Sequence, residues 1–256
     1  MGEGHLESII DKAWEDRESI TSATTGDIRD AVEYASNESK WRSMSAHARA
    51  QVLYYAAENL DIRKDEFVRT IELMTGENGK DEVDQALENI FYFASWADKF
   101  EGTIHNVPIR GVSLAMKEPL GVIAIMCPDN NPLLSFIHLV FSALCMGNTV
   151  VVVPSEKHPL CAIDMYQIFE TSDFPPGAIN IVTGNRDELS ETLSKHMQVD
   201  GIWYFGHEHS QKSIVKKNSI SNLKRFWCPD EKNIDWFSNN NQFLNEFLYQ
   251  STQIKN

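Results

Sequence analysis

Four short turns in the second half of the chain carry most of the side chains that could bind a small ligand. Each follows an apolar run, and in order they read CPDNNP, VPSE, VTGNRD and YFGHEHSQ. A dinucleotide site needs backbone N–H groups close to pyrophosphate and an acid that accepts hydrogen bonds from ribose hydroxyls. Glu156 is such an acid, and Gly184 and Gly206 stand in two of the turns. Because the glycine fingerprint GxGxxG is absent, generic motif rules favour ordinary loop chemistry over a nucleotide site.

The cysteine and histidine residues offer little redox or metal chemistry. The four cysteines are widely spaced in apolar runs and form no CxxC pair: Cys127, Cys145, Cys161 and Cys228. This spacing indicates free thiols in a reducing compartment rather than disulfides or a zinc site. We interpret Cys127 and Cys228 as packing residues rather than nucleophiles. His207 and His209 form an HxH pair, but no further ligands stand at a suitable spacing, so no metal site is predicted.

Composition and charge exclude several classes of protein. The chain is 42% hydrophobic and 23% charged, which is typical of a soluble globular protein. Its longest apolar stretch, residues 132–146, contains Ser135, His138 and Ser142, which predicts a buried helix rather than a membrane span. The formal net charge of −14 argues against binding to nucleic acid or anionic lipid. No secretory signal is visible, so we expect a cytoplasmic protein.

The spacing of apolar residues changes after residue 117. Residues 1–24 predict a linker or loose helix, residues 25–102 several amphipathic helices, and residues 103–117 a strand pair or extended arm. Residues 118–228 alternate short apolar strands with helices, the fifth strand being expected at 223–227, which predicts a parallel sheet covered on both faces. Residues 229–256 read as a polar tail with a loop and a short terminal helix.

The helical part carries more detailed expectations. Ile28, Val32 and Tyr34 open one amphipathic helix, and Ser45 is a suitable cap for a second helix that runs through Ala57. A third helix is expected from Phe67 to Met74, and a fourth begins near Asp81 and carries Phe91 on its apolar face.

Five sequence blocks, in their order, resemble the aldehyde dehydrogenase superfamily: EPLGVIAIMCPDNNPLL, ALCMGNTVVVVPSE, FPPGAINIVTG, VDGIWYFG and SNLKR. The resemblance is collinear from about Gly26 to Arg225, and the second and third blocks are highly specific. The segments WYFG and NLKRFW resemble the carboxy-terminal module of aldehyde dehydrogenase family 16, in which some members lack an active site. The resemblance implies an α/β fold with amino-terminal helices and a Rossmann-like five-stranded parallel sheet, here without the family's catalytic domain.

The resemblance also implies roles for residues in the first two turns, with NAD or NADP as the cofactor. Asn130 matches an Asn that helps to hold the oxyanion formed at the substrate carbonyl, while its altered neighbours Asp129 and Asn131 make the pocket more polar. With no other catalytic group matched, Asn130 is a vestigial donor or a plain turn residue. Glu156 matches a ribose-binding Glu and follows Ser155, but the accompanying Lys is replaced by Val153. Loss of that charged contact weakens binding by about 1.5–3 kcal/mol.

The third and fourth turns depart further from the family pattern. Gly184 is kept, but Arg186 and Ser190 stand where the family has glycine. Arg186 either pairs with a phosphate or fills the groove for adenine. Gly206 opens the phosphate turn, in which Glu208 has the wrong charge for a diphosphate, and a later glycine is Gln211.

The groups that perform the family's chemical step are also missing from the matched positions. The segment that carries the general base in the family has Pro229 at the equivalent point, and Glu231 nearby lacks the glycine turn that would orient it. None of the four cysteines matches the nucleophile, which belongs to a later domain of the family.

Three functions follow from these expectations. The first is a non-catalytic module for assembly, either as a homo-oligomer or docked to a complete aldehyde dehydrogenase module, because the arm at 103–117 makes subunit contacts in the family. The second is a fragment of an NAD(P)-dependent aldehyde dehydrogenase, and the third is a weak dinucleotide-binding module. Since the family's catalytic domain normally covers the cofactor sheet, we also expect marginal stability.

Overall fold

The computed structural model describes residues 26–108, 110–206, 209–220, 223–229 and 234–254. The linker or loose helix expected at residues 1–24 lies outside the described residues. Nine helices of the described chain are α1 (Gly26–Asn37), α2 (Lys40–Ser43), α3 (Ala46–Thr75), α4 (Lys80–Trp96), α5 (Pro132–Cys145), α6 (Leu160–Thr171), α7 (Arg186–Lys195), α8 (His209–Ser219) and α9 (Asn241–Gln250). Nine described strands are β1 (Thr103–His105), β2 (Ser113–Ala115), β3 (Lys117–Pro119), β4 (Val122–Met126), β5 (Thr149–Val153), β6 (Ile179–Ile181), β7 (Gly201–Tyr204), β8 (Arg225–Trp227) and β9 (Thr252–Ile254).

The centre of the fold is the predicted five-stranded parallel sheet, with strand order β6-β5-β4-β7-β8. Residues of β4 alternate between the two faces: Ile123 and Ile125 pack under α3, α4, α5 and α6, whereas Ala124 and Met126 pack under α1, α7 and α8. Because both faces are covered, the central strands β4, β5 and β7 are largely apolar and fully buried, which is why they are recognisable in the sequence. The fifth strand begins at Arg225, two residues later than expected, because Leu223 has a left-handed backbone (φ 57°) and is 90% exposed.

The amino-terminal helices differ from expectation in three places. The second and third expected helices form one 30-residue helix, α3, which Ser45 caps by accepting a hydrogen bond from the Ala48 N–H. The apolar periodicity lapses around Ile62, which is 81% exposed, because that turn faces solvent while the helix continues. Tyr34 is also exposed, so the buried stripe of α1 is Ile28, Val32 and Ala35 instead.

Helix α4 begins at Lys80, slightly before the expected cap, and ends at Trp96. A Cβ on the preceding Gly79 would lie 2.8 Å from the Cβ of Ile71, so glycine permits the close approach of α3 and α4. Phe91 is 40% exposed and therefore lies at the edge of the apolar face rather than on it.

The expected strand pair is present in the arm, where β1 and β2 pair antiparallel with Ile104 opposite Leu114. The short terminal helix expected after residue 229 is present in the described part as α9, but one face of it is apolar and buried rather than polar. Helix α9 buries Phe247 and Leu248 in the main core, and β9 pairs antiparallel with β3. The tail therefore covers part of the sheet's helical layer, which removes part of the reason for expecting marginal stability.

His138 lies fully buried on α5 at the centre of this tail contact, with the rings of Phe93, Trp236, Phe243 and Phe247 around it. Its Nδ1 lies 2.9 Å from the Leu134 carbonyl, which can only accept, so Nδ1 carries the proton. Nε2 is then free to accept from the Asn89 amide at 3.3 Å. Burial lowers the pKa of His138 to about 4, although the hydrogen bond with Leu134 opposes this shift.

We expect His138 to make the fold less stable as the pH falls from about 6.5 towards 4. The unfolded chain binds a proton at an ordinary histidine pKa near 6.5, whereas the folded chain does not until about pH 4. The free energy of unfolding should therefore fall by roughly 3 kcal/mol across that range. Urea unfolding at several pH values measures this change in the free energy of unfolding. His138→Gln should flatten the dependence, and the exposed His105→Gln should leave it unchanged; equal slopes in all three proteins would contradict the assignment.

Candidate functional site

The candidate site is the crevice at the carboxyl ends of β4 and β7. From β4 the chain continues outward to β5 and β6, then crosses back to β7 and β8 on the other side. Helices that leave such a reversal diverge, and the opening between them is where open α/β sheets bind ligands. The described residues of the four turns all lie at this edge, because each turn follows a strand of the same parallel sheet.

A buried ion pair closes the centre of the crevice. The Arg186 guanidinium donates to Asp129 Oδ1 at 2.6 Å, and the two side chains are only 7% and 14% exposed. Of the two roles open to Arg186, phosphate partner or groove filler, this geometry favours the second, because its charge is already neutralised by protein.

Asp129 joins three turns through the same oxygen. Besides Arg186, its Oδ1 accepts from the Ser155 hydroxyl at 2.9 Å and the Glu156 N–H at 3.1 Å. Burial alone would raise the pKa of the Asp129 carboxyl, but Arg186 and the hydrogen bond from Ser155 outweigh burial, so the pKa lies below its usual value. Asp129 is therefore ionised at neutral pH and fixes the turn that contains Ser155.

Glu156, the expected ribose acceptor, has its carboxylate turned towards the third turn. It accepts from the Asn185 amide at 3.3 Å and the Arg186 N–H at 3.4 Å. Asn185 in turn caps α7 by accepting from the N–H groups of Asp187 and Glu188. The side chain remains exposed, and each of its two oxygens already accepts one hydrogen bond from the third turn.

Two positions at which the sequence resemblance places glycine hold side chains that bond to each other. Gln211 Nε2 donates to the Ser190 hydroxyl at 3.1 Å and to the Asp187 carbonyl at 2.8 Å, and both Gln211 and Ser190 are buried. These bonds join α7 to α8. Glycine at both positions would leave space for a dinucleotide between α7 and α8. Here a dinucleotide would have to break the hydrogen bonds between Gln211 and Ser190 to enter that space.

Tyr204 packs against Gly206, the last described residue before the gap in the fourth turn. A Cβ on Gly206 would lie 2.4 Å from the Tyr204 hydroxyl, so glycine is required here by a protein side chain. The Tyr204 hydroxyl also lies 3.5 Å from the Asp187 carboxylate. His207 and Glu208, and the His209 side chain, lie outside the described residues, as does Glu231. In the described part of the chain, no group of three or more His, Cys, Asp or Glu is placed to hold a metal ion.

Asn130 is exposed at a polar cavity of about 430 Å³ that also borders Asp81, Asn131 and Phe237. The backbone donors nearby are already used, because Glu82 accepts from the N–H groups of Leu133 at 2.8 Å and Leu134 at 3.1 Å. Burial raises the pKa of Glu82, and these two bonds oppose the rise. Asn130 therefore has no neighbouring N–H pair at the start of α5 to complete an oxyanion hole.

Val153 and Cys127 offer no charged group to the crevice. Val153 is fully buried in the core beside Val151 and Tyr204. Burial raises the pKa of the Cys127 thiol to about 12, against a small opposing effect of Arg186, so the thiolate nucleophile is not available at neutral pH. Of the four free cysteines, only Cys228 is not fully buried. Gly184 is retained beside Leu189, whose Cδ1 would lie 3.2 Å from a Cβ at that position.

Comparison with known proteins agrees with the geometry of the sheet. A family model described as the aldehyde dehydrogenase family matches residues 6–228. The chain belongs to this family. It is 32% identical over 228 residues to aldehyde dehydrogenase, cytosolic 1 of Elephantulus edwardii, covering 86% of this chain and 44% of that one. Retinaldehyde dehydrogenase 3 of Homo sapiens is 32% identical over 223 residues, covering 82% and 43%.

Solved aldehyde dehydrogenases share the fold. The NAD+ complex of an aldehyde dehydrogenase from Bacillus cereus superimposes with a TM-score of 0.75 at 25% identity, over 79% of this chain and 42% of that chain. Apo betaine aldehyde dehydrogenase from Staphylococcus aureus gives 0.74 at 28% identity, over the same shares. This aldehyde dehydrogenase family chain thus spans less than half the length of the relatives it matches.

Two residues that shape the crevice in this chain could not be identified as important from the sequence. From the sequence, Asp129 is only a polar neighbour of Asn130, whereas in the structure it accepts hydrogen bonds from Arg186, Ser155 and the Glu156 N–H. Tyr204 reads as an ordinary apolar strand residue. A signal existed for Asp129, because a buried arginine at a glycine position requires a carboxylate partner.

Proposed function

We propose that this chain is a non-catalytic aldehyde-dehydrogenase-like module that acts through assembly with protein. It belongs to the same family as enzymes that use a dinucleotide, but its own side chains occupy the cofactor crevice. The observation that carries the proposal is the hydrogen-bonded pair Ser190–Gln211 beside the buried pair Arg186–Asp129. The sequence segments WYFG and NLKRFW support a relationship to the carboxy-terminal module of family 16. The free cysteines and the name of the cytosolic relative support a cytoplasmic location.

We expect no measurable binding of NAD or NADP to this chain at ligand concentrations up to about 1 mM, which corresponds to less than about 4 kcal/mol of affinity. Isothermal titration calorimetry measures this directly. The physical reason is that binding must break the Gln211 hydrogen bonds and release Glu156 from Asn185. A dissociation constant in the micromolar range would refute the proposal and favour the fragment of an NAD(P)-dependent enzyme.

A gain-of-binding series tests the cause. Ser190→Gly and Gln211→Gly, singly and together, remove the hydrogen-bonded pair that joins α7 to α8. Each change should increase dinucleotide affinity by about tenfold or more. Gln198→Gly, outside the crevice and on the surface, is the matched control and should have no effect. If the crevice variants bind the dinucleotide no more tightly than Gln198→Gly does, the side chains in the crevice are not the cause of weak binding.

The assembly part of the proposal rests on the arm. Strands β1 and β2 pair with each other. The arm exposes four large apolar side chains, two on the strands and two beside β2: Ile104 (77%), Leu114 (58%), Val112 (75%) and Met116 (60%). A two-stranded ribbon is marginal in water by itself, and contiguous exposed apolar side chains mark interaction surfaces. The arm therefore supports self-association or docking to a complete aldehyde dehydrogenase module. None of the described helices is both long and apolar enough to span a membrane.

We expect the protein to self-associate at micromolar concentration through the arm. Replacing the paired Ile104 and Leu114 by Ser should weaken association by at least about tenfold, because two apolar side chains lose burial. Sedimentation velocity over a concentration series measures the effect. Ile62→Ser, at a side chain that is 81% exposed on α3, is the control and should not change association. A strict monomer before substitution would contradict self-association.

A further inference from the structure

The far edge of the central sheet is an open strand. Strand β6 stands at the end of the sheet order and pairs with β5 alone among the described strands. The Val150 N–H donates to the Ala178 carbonyl, and the Val182 N–H donates to the Val152 carbonyl, each at 2.9 Å. Backbone groups alternate direction along a strand, so Ile179 and Ile181 direct their N–H and C=O groups away from the sheet.

Tyrosines from two helices flank this edge. Helix α1 covers one face of the sheet and α6 the other, and they place Tyr34 and Tyr166 on opposite sides of β6. The two rings are 67% and 56% exposed. Both line two adjoining cavities of about 460 and 490 Å³, which share Ile179 and Asn180 and follow the strand. The result is a groove with a backbone floor and an aromatic wall on each side.

The charged side chains of this groove are acidic. Asp30 on α1 lies on the side of Tyr34, and Glu170 on α6 lies on the side of Tyr166. Both carboxylates are exposed, and no Lys or Arg is among the described residues that line the two cavities. Each wall therefore offers one tyrosine ring and one carboxylate, a combination that suits the stem and charge of an arginine or lysine.

We propose that this groove binds an extended basic segment of a partner protein, which adds to β6 as a sixth strand. The segment's backbone would pair with Ile179 and Ile181. Its side chains would alternate between the walls, so that basic residues reach Tyr34 and Asp30 on one side and Tyr166 and Glu170 on the other. This surface is separate from the arm and adjoins the third turn of the crevice only through Val182 and Thr183. It uses the outer backbone edge of β6, so the inference does not depend on the loss of catalysis.

Charge distinguishes this occupant from two others. Residues 1–25 directly precede α1 in the sequence and contain six acidic and two basic residues. Their net charge is therefore negative, like that of the groove walls. A second copy of the chain that paired edge to edge through β6 would bring Asp30 and Glu170 of both copies together. Both alternatives bring like charges together, whereas a basic segment neutralises them.

Fluorescence anisotropy with a labelled peptide, Val-Arg-Arg-Val-Arg-Arg-Val, tests the proposal on the full chain. A peptide with the same residues but N-methylated at every backbone nitrogen keeps the charge and has no backbone N–H to donate on either edge. It should bind at least about tenfold more weakly, as should a version with Glu in place of Arg. Equal binding of the N-methylated peptide would show general attraction to an acidic protein and would overturn strand addition.

Protein variants locate the site. Glu170→Lys should lower the affinity for the arginine peptide by about tenfold. Glu88→Lys makes an equal charge change on the exposed surface of α4 and should have little effect on that affinity. Ile181→Pro removes an outward N–H that would pair with the peptide, so it should weaken peptide binding by a similar factor. The fold should survive this change, because proline is tolerated on an edge strand. Equal effects of Glu170→Lys and Glu88→Lys would overturn the assignment.

A cross-linking group identifies the occupant. Benzoylphenylalanine placed in the position of Tyr166 should cross-link to the arginine peptide after irradiation. Cross-links to residues 1–25, or to another copy of the chain, in preference to the peptide would overturn the proposal in favour of that occupant.

Discussion

Substituting Arg186→Ala should lower the free energy of unfolding by about 3–5 kcal/mol, because it leaves a buried carboxylate without its counter-charge. Asp129 and Arg186 are both nearly inaccessible to water, at 14% and 7% exposure. The remaining donors to Asp129, the Ser155 hydroxyl and the Glu156 N–H, are neutral and do not replace the guanidinium. Urea denaturation at pH 7 measures the change.

Arg63→Ala is the matched control for this experiment. Arg63 pairs with Glu66 at 2.7 Å on the surface of α3, with side-chain exposures of 28% and 53%. Solvent screens that pair, so its loss should cost at most about 1 kcal/mol. Similar losses in the two variants would mean that Arg186 is not held as a buried partner of Asp129. The comparison also tests the proposed function, because the same ion pair closes the crevice.

Substituting Phe247→Ala should destabilise the fold by about 3–5 kcal/mol, the usual cost of removing a buried aromatic ring. Phe247 lies fully inside the core, with ring centroids of Trp227 and Phe243 at 5.2 Å and of His138 at 5.5 Å. These neighbours come from β8, the tail and α5, so the cavity would loosen the contact between the tail and the sheet. Thermal and urea unfolding with circular dichroism measure the loss.

Phe237→Ala is the control in the same tail, because its ring is 41% exposed. It should change stability by less than about 1 kcal/mol, since less apolar surface leaves water on folding there. An equally small effect of both substitutions would show that the tail is an accessory segment. The described tail is tied by more than this ring: the Asn148 amide donates to the Ser251 carbonyl at 2.9 Å, and Arg225 bonds the Thr252 carbonyl.

The crevice and the tail are the two regions in which this chain departs from what its family resemblance implies. Arg186 and Asp129 stand in the crevice where the family would bind a cofactor. Phe247 belongs to a segment outside the residues 6–228 that the family model matches. Strong effects at both sites would show that protein contacts, rather than a cofactor, stabilise these regions of the chain.

The sequence alone determined the sheet and the family. Strands buried on both faces are largely apolar, so β4 and β5 are recognisable as short apolar runs without any knowledge of their neighbours. The block order and the matched positions also identified Asn130, Glu156, Gly184 and Gly206 as the residues to inspect. These features are local in the chain, which is why they could be predicted.

Only the tertiary structure decided how the crevice is filled and how the tail packs. Arg186 meets Asp129 across 57 residues of sequence, and Gln211 meets Ser190 across 21. No local pattern encodes such pairings, because they depend on which strand ends lie side by side in the sheet. The tail looked polar because one face of α9 is exposed, and only its packing revealed that Leu244, Phe247 and Leu248 face the core. The continuous helix α3 has the same explanation: its exposed middle turn lacks the apolar spacing that burial imposes.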